Sequence, residues 1–135
     1  MAPFIYGKRN LIHIIDIRET LKGLLRAKKF LAQVVGQGQD VLFVGTKRQA
    51  RPSIEEQSKR CGMHCVTERW LGGTLTNFRT IRSRLQRLAE LEAIDEASGQ
   101  YSKKAIASLS RERRKIQRNL SGVRNMERLP GVLVL

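Results

Sequence analysis

Residues 12–17 (IHIIDI) are almost continuously apolar and branched, the pattern of a strand buried on both faces. Asp16 and Glu19 then open a helical pattern. Leu21, Leu24, Leu25, Leu31, Val34 and Val35 recur at helical spacing, with Lys22, Arg26, Lys28 and Lys29 largely between them. Gly36 and Gly38 stop it. Residues 41–44 (VLFV) predict a second buried strand that runs into Gly45-Thr46-Lys47-Arg48. Strand, helix and strand within about 33 residues predict a βαβ unit with parallel strands. A short helix follows over 53–60. Ser53 and Glu56 stand at capping-box spacing, Pro52 lies just outside the first turn, and Gly62 closes the helix. Residues 64–66 predict a third short strand, so the series is β-α-β-α-β and favours a doubly wound sheet.

From Thr76 the pattern changes. Phe78, Ile81, Leu85 and Leu88 form a narrow apolar seam, with Arg79, Arg82, Arg84 and Arg87 on the rest of the surface. The polar stretch 95–103 contains Gly99 and predicts a turn. Ile106, Leu109, Ile116, Leu120 and Val123 then resume a seam in which Arg113 fills one slot. Each seam is too narrow for a globular core by itself. Two such helices joined by a short turn should pair antiparallel and cover each other. Ser121-Gly122 mark a kink or stop near the end of the second helix, and Leu129-Pro130 its termination. Residues 132–135 (VLVL) predict a fourth strand. A buried parallel strand calls for a covering helix, so further βα units are expected beyond Leu135.

Charge changes the picture. Twenty-six lysines and arginines stand against 12 acids in 135 residues, a net charge of +14. Residues 1–68 hold 12 basic and 6 acidic side chains, residues 69–135 14 and 6. The excess is spread through the folded pattern and is not a tail, so the folded surface itself should be positive and its partner polyanionic. The densest cluster is Arg111, Arg113, Arg114, Lys115 and Arg118, five cations against Glu112 alone. Such a cluster repels itself and is better matched to an anionic partner than to solvent. Only seven aromatics are present, few for a module that reads single strands by stacking. Arginine-rich helices suggest grip on phosphates and on RNA shape.

Other chemistry is thin. Cys61, His64 and Cys65 supply three of the four ligands a structural zinc needs, with no second ligand pair, so no metal is expected. The two cysteines are read as small buried side chains in a reducing compartment. In Gly45-Thr46-Lys47 the threonine precedes the lysine, the reverse of a phosphate loop. Gly36-x-Gly38 precedes its strand, where a dinucleotide fingerprint should follow one. Acids are few and sit mostly beside lysine or arginine. No set of catalytic groups emerges, and Asp16 is better explained as a helix cap. Residues 67–77 (TERWLGGTLTN) place an arginine, the only tryptophan and a glycine pair between a strand and a basic helix. Burial is the commoner fate of such a tryptophan, a base-stacking platform the alternative.

These blocks together resemble a known family. IHIIDI, a helix, VLFVGTKRQA and then ERWLGGTLTNFRTIRSRLQRL are similar to the bacterial small-subunit ribosomal protein two family. RERRKIQRNLSGVRNMERLP matches its second hairpin helix and MAPFIYGKRN its entry segment. The likeness covers nearly all 135 residues, and the RWLGGTLTNF block is its most specific part. Two positions depart: Gly131 stands where the family usually has an acid, and Ser121-Gly122 where it has a glycine pair. Family members start upstream of the Met-x-Pro stretch and continue past Val132, so the resemblance implies a longer parent chain.

The resemblance implies an α/β fold: a Rossmann-like parallel sheet over residues 1–75 and 129–135, with an inserted antiparallel coiled-coil hairpin over 76–128. It implies a structural constituent of the small ribosomal subunit, cytoplasmic, in a bacterial or organellar ribosome. The partners would be small-subunit ribosomal RNA and neighbouring ribosomal proteins, with no membrane and no small-molecule substrate. No catalysis and no cofactor are expected. Backbone phosphates would be held by Lys47, Arg48, Arg51, Arg69, Arg79, Arg82, Arg111, Arg114 and Arg118. The competing reading is a Rossmann-like enzyme domain holding a nucleotide near Gly45, which the missing glycine fingerprint disfavours. A basic coiled-coil module for DNA or an anionic membrane is disfavoured by the strands at 41–44 and 132–135.

Overall fold

A computed structural model describes residues 1–96 and 102–135, with Asp95 and Glu96 described through their backbone. The chain divides into two units, Met1–Gln39 and Asp40–Leu135.

In the first unit, β1 (Ile5–Arg9) pairs antiparallel with β2 (Ile12–Ile15) from Ile5↔Ile15 to Arg9↔Ile12. This corrects the expected βαβ unit: β2 forms a two-stranded hairpin with β1 and is not in the parallel sheet. All four β2 residues are exposed. The physical reason lies in the two-residue turn. Asn10 (φ 50°) and Leu11 (φ 66°) are both left-handed, the geometry whose twist matches an antiparallel pair. A run of four branched residues suits either kind of strand. Asp16 then caps α1 (Ile17–Gly36), its carboxylate accepting from the Arg18 amide at 2.9 Å.

Leu11 is a poor residue for its position. A left-handed Leu costs about 1–2 kcal/mol, and glycine's extra backbone entropy offsets about half of that. Leu11→Gly should therefore stabilise the hairpin by about 0.5–1 kcal/mol. Amide hydrogen exchange across β1 and β2 should slow by roughly twofold to fivefold, since about 1.4 kcal/mol is a factor of ten. Unchanged or faster exchange would refute the expectation.

In the second unit, β3 (Val41–Val44), β4 (His64–Val66) and β5 (Val132–Val134) form a parallel sheet in the order β4-β3-β5. β3 is central, and Leu42 within it is fully buried. Between β3 and β4 runs α2 (Arg51–Cys61), closed by Gly62 in the left-handed region (φ 66°). α2 begins two residues earlier than the pattern predicted, and the Ser53–Glu56 capping box is not its start. Ala50 is the N-cap without a side-chain cap, and the Lys47 carbonyl accepts from the Ala50 and Arg51 amides. Pro52 sits in the first turn, where its missing N–H costs nothing.

Between β4 and β5 stand α3 (Phe78–Glu96) and α4 (Lys103–Leu120). Ser102 caps α4 through its hydroxyl, which accepts from the Ala105 amide at 3.3 Å. Much of the turn predicted at 95–103, including Gly99, lies outside the described residues. The predicted seams do pack. Ile81 and Leu88 of α3 are buried, as are Leu120 and Val123, and Phe78, Leu85 and Ile116 are half-buried beside them. Arg87 reaches Glu112 across the pair at 3.6 Å, and Arg84 lines one depression with Lys115 and Ile116, so the pairing is antiparallel. α4 stops at Leu120, with a 3-10 turn over Ser121–Val123, and does not run on to Leu129-Pro130. The core joins both layers: Leu42 and Val66 of the sheet pack with Ile81, Leu120, Val123 and Met126.

Candidate nucleic-acid interface

The helical repeat decides where the cations of α4 go. At 100° per residue, Arg111, Arg114, Lys115 and Arg118 fall on one stripe, opposite Leu109, Ile116 and Leu120. All four stripe residues are exposed, while Leu120 is buried and Leu109 and Ile116 are half-buried. Packing the seam therefore forces the stripe outward. Arg113 sits half-buried in the seam, in the polar slot that the heptad pattern assigned to it. On α3, Arg79 and Arg82 are exposed and share a shallow depression with Phe78, Ser83 and Gln86. Arg87 is engaged instead. Glu90 accepts from it at 3.0 Å and, together with Glu112, holds its pKa above the ordinary arginine value.

The remaining predicted cations gather at the carboxyl end of the parallel sheet. Lys47 and Arg48, in the turn after β3, are exposed, and so is Arg69 after β4. Arg51 is half-buried. Its Nε donates to the Thr46 carbonyl at 3.2 Å and its Nη1 to Glu68 at 2.9 Å. Arg118 approaches the other oxygen of Glu68 at 3.8 Å. The second unit thus brings Arg51 and Arg118 to one carboxylate at the sheet's carboxyl end, with exposed Lys47, Arg48 and Arg69 in the turns after β3 and β4. Arg111 and Arg114 extend from there along α4, and Arg79 and Arg82 lie on α3.

Sequence reasoning missed two participants. Glu68 carries no local signal, because its partners are 17 and 50 positions away in the chain. Trp70 was expected to be buried but is 37% exposed, beside exposed Arg69. The neighbouring glycine pair explains the turn: Gly73 is left-handed (φ 82°), and the Asn77 amide donates to its carbonyl at 2.8 Å, leading the chain into α3.

The turn after β3 is filled from behind. A Cβ at Gly45 would lie 2.6 Å from Ile54 Cγ1, so α2 packs directly on this turn. Cys61 and Cys65 are free thiols, but neither is buried as expected: Cys61 is exposed, its Sγ donating to the Gln57 carbonyl at 3.0 Å, and Cys65 is half-buried. Among the described residues no group of three or more His, Cys, Asp or Glu converges as a metal site, and no helix is long and apolar enough to cross a membrane.

Comparison with known proteins gives this basic surface a context. A family model described as Ribosomal protein S2 matches residues 1–135. Small ribosomal subunit protein uS2 of Rhodopirellula baltica is 66% identical over 137 residues, covering 100% of this chain and 53% of that protein. The proteins of the same name from Syntrophobacter fumaroxidans and Dichelobacter nodosus are 50% and 52% identical, each over 98% of this chain and over 49% and 51% of their own lengths. The chain spans about half the length of the curated relatives it matches.

Proposed function

Since the chain belongs to the ribosomal protein S2 family, we propose that it is a non-catalytic structural constituent of the small ribosomal subunit. In this reading it binds small-subunit ribosomal RNA and neighbouring ribosomal proteins within a cytoplasmic ribosome. One observation carries the RNA contact: α4 turns its apolar seam inward and Arg111, Arg114, Lys115 and Arg118 outward along a single exposed stripe. Family membership supports ribosomal RNA as the polyanion. The nine proposed phosphate contacts are Lys47, Arg48, Arg51, Arg69, Arg79, Arg82, Arg111, Arg114 and Arg118. The proposed division is a Rossmann-like domain over 1–75 and 129–135, with 76–128 as the inserted hairpin.

Arginine suits this work. Its guanidinium stays charged at every physiological pH and presents planar donors to phosphate oxygens. A polyanion held this way is released by competing counterions. The test is filter binding of a small-subunit ribosomal RNA transcript to the 135-residue chain across a salt series. Affinity should fall steeply as salt rises. An affinity indifferent to salt, or equal affinity for a neutral polymer, would refute the reading.

A further inference from the structure

Glu68 is an anomaly on a surface proposed to bind a polyanion. It contacts two of the proposed phosphate-binding cations, Arg51 and Arg118, and follows β4 immediately before a third, Arg69, where a carboxylate repels phosphate. Yet it is not solvated at random. Its two oxygens meet two different arginines, Arg51 Nη1 at 2.9 Å and Arg118 Nε at 3.8 Å. Arg51 is fixed at a second point by the Thr46 carbonyl, 3.2 Å from its Nε. One carboxylate therefore ties the turn after β3, the start of α2, the exit of β4 and the last turn of α4.

Resting on the RNA-binding reading above, we propose that Glu68 is a positioning residue. It holds Arg51 and Arg118 as a preformed pair for a backbone phosphate of the RNA. The donor inventory supports this. A guanidinium has five N–H donors. Arg51 spends one each on Thr46 and Glu68, so its Nη2 edge keeps its donors. Arg118 is 72% exposed and approached by Glu68 only at ion-pair distance, so its donors remain available to an incoming oxyanion. An untethered arginine loses side-chain freedom on gripping phosphate, and that loss weakens binding. Arg51, hydrogen-bonded at two points, is ordered in advance, and Arg118 is drawn to the same carboxylate by charge, so the pair loses less. Against this stands the repulsion of one negative charge, which the two guanidinium groups it contacts offset at close range.

The two effects of Glu68 have opposite signs, and that makes the role testable. A merely repulsive surface acid predicts that Glu68→Gln tightens RNA binding. A positioning role predicts that it weakens binding by about threefold to tenfold despite the added positive charge, as expected when one or two arginines must be ordered on contact. Glu68→Asp keeps the charge but has too little reach to span both arginines, so it should weaken binding as well. In an Arg51→Gln, Arg118→Gln background, Glu68→Gln should no longer weaken binding.

The experiment is filter binding of the small-subunit ribosomal RNA transcript to the full chain, with thermal melts of each variant alongside. Weaker binding by Glu68→Gln and Glu68→Asp that disappears in the background lacking Arg51 and Arg118 supports the proposal. Equal or tighter binding by Glu68→Gln overturns it, and so does a loss of equal size in the background lacking Arg51 and Arg118. Failure of the unaltered chain to bind RNA with salt dependence would instead remove the RNA-binding reading, before any variant is compared.

Discussion

Gly122→Ala should destabilise the second unit by about 3 kcal/mol or more, a severe effect for one methyl group. The reason is a close approach between backbones. A Cβ at Gly122 would lie 2.1 Å from the Cys65 carbonyl oxygen, 2.7 Å from its Sγ and 3.0 Å from its carbonyl carbon. Two of those atoms are main chain of β4, held in register with Phe43 of the central strand, so they cannot rotate away. The Ser121–Val123 turn would have to lift off the sheet. Val123, fully buried, and its neighbours Leu120 and Met126 would be uncovered with it. At roughly 4–8 °C per kcal/mol for a unit of this size, the melting temperature should drop by about 15 °C.

Two controls separate this account from a general intolerance of glycine substitution. Gly72 has nothing within 4 Å of its Cβ position and no left-handed backbone, so Gly72→Ala should stay within about 0.5 kcal/mol of the unaltered protein. Cys65→Ala should not rescue Gly122→Ala, because the closest clash is with the carbonyl oxygen and not the thiol. A melting temperature for Gly122→Ala within a few degrees of the unaltered chain would sink the argument. The same geometry explains why serine is tolerated at 121. Its side chain is exposed, so of the two positions only 122 needs to be bare.

What the sequence makes legible follows how far each signal reaches along the chain. The Asp16 cap, the Gly62 stop and the seam from Phe78 to Leu88 are local patterns, and each element forms where its pattern lies. The runs at 41–44, 64–66 and 132–134 form one parallel sheet, as their branched or apolar composition suggested. The run at 12–15 has the same composition and a different partner. Its pairing is set by a turn in which Asn10 was the one turn-type residue, and Leu11 in the left-handed region is a placement no propensity favours. The start of α2 was misread because a capping-box spacing competes with a backbone turn at Lys47 that leaves no side-chain signature.

The candidate site divides the same way. Exposure of Arg111, Arg114 and Arg118 follows from the heptad, since a seam on one face assigns the opposite face to solvent. The tie of Arg51 and Arg118 to Glu68 does not follow from any spacing. It exists only because β3, β4 and α4 end near one another. Sequence charge counting treats Glu68 as one acid to subtract, whereas its geometry makes it part of the basic surface.

Charge reversal on the outer face of α4 should reduce RNA affinity by about two orders of magnitude without harming the fold. If all nine proposed cations meet phosphates, the logarithm of the affinity should fall with the logarithm of salt with a slope of about −6 to −8. Arg111→Glu with Arg114→Glu removes two contacts and should flatten that slope by about two. The effect on stability has the opposite sign. In the unaltered helix Arg111 faces Lys115, and Arg114 faces Arg118, each four positions on and all exposed. Such like-charged pairs cost about 0.2–0.5 kcal/mol each, and a glutamate placed four residues before a cation gains a similar amount. The doubly reversed chain should therefore melt at the same temperature or slightly higher while losing its grip on RNA. A surface optimised for folding alone would not carry four mutually repelling cations on one stripe, and the opposite movement of stability and affinity is the signature of a stripe kept for a partner. Reversing two exposed cations of α1, Lys28→Glu with Lys29→Glu, changes net charge by the same amount and should cost far less affinity. Equal losses from the two pairs would mean that net charge alone holds the RNA, and the assignment of the contact to α4 would fall.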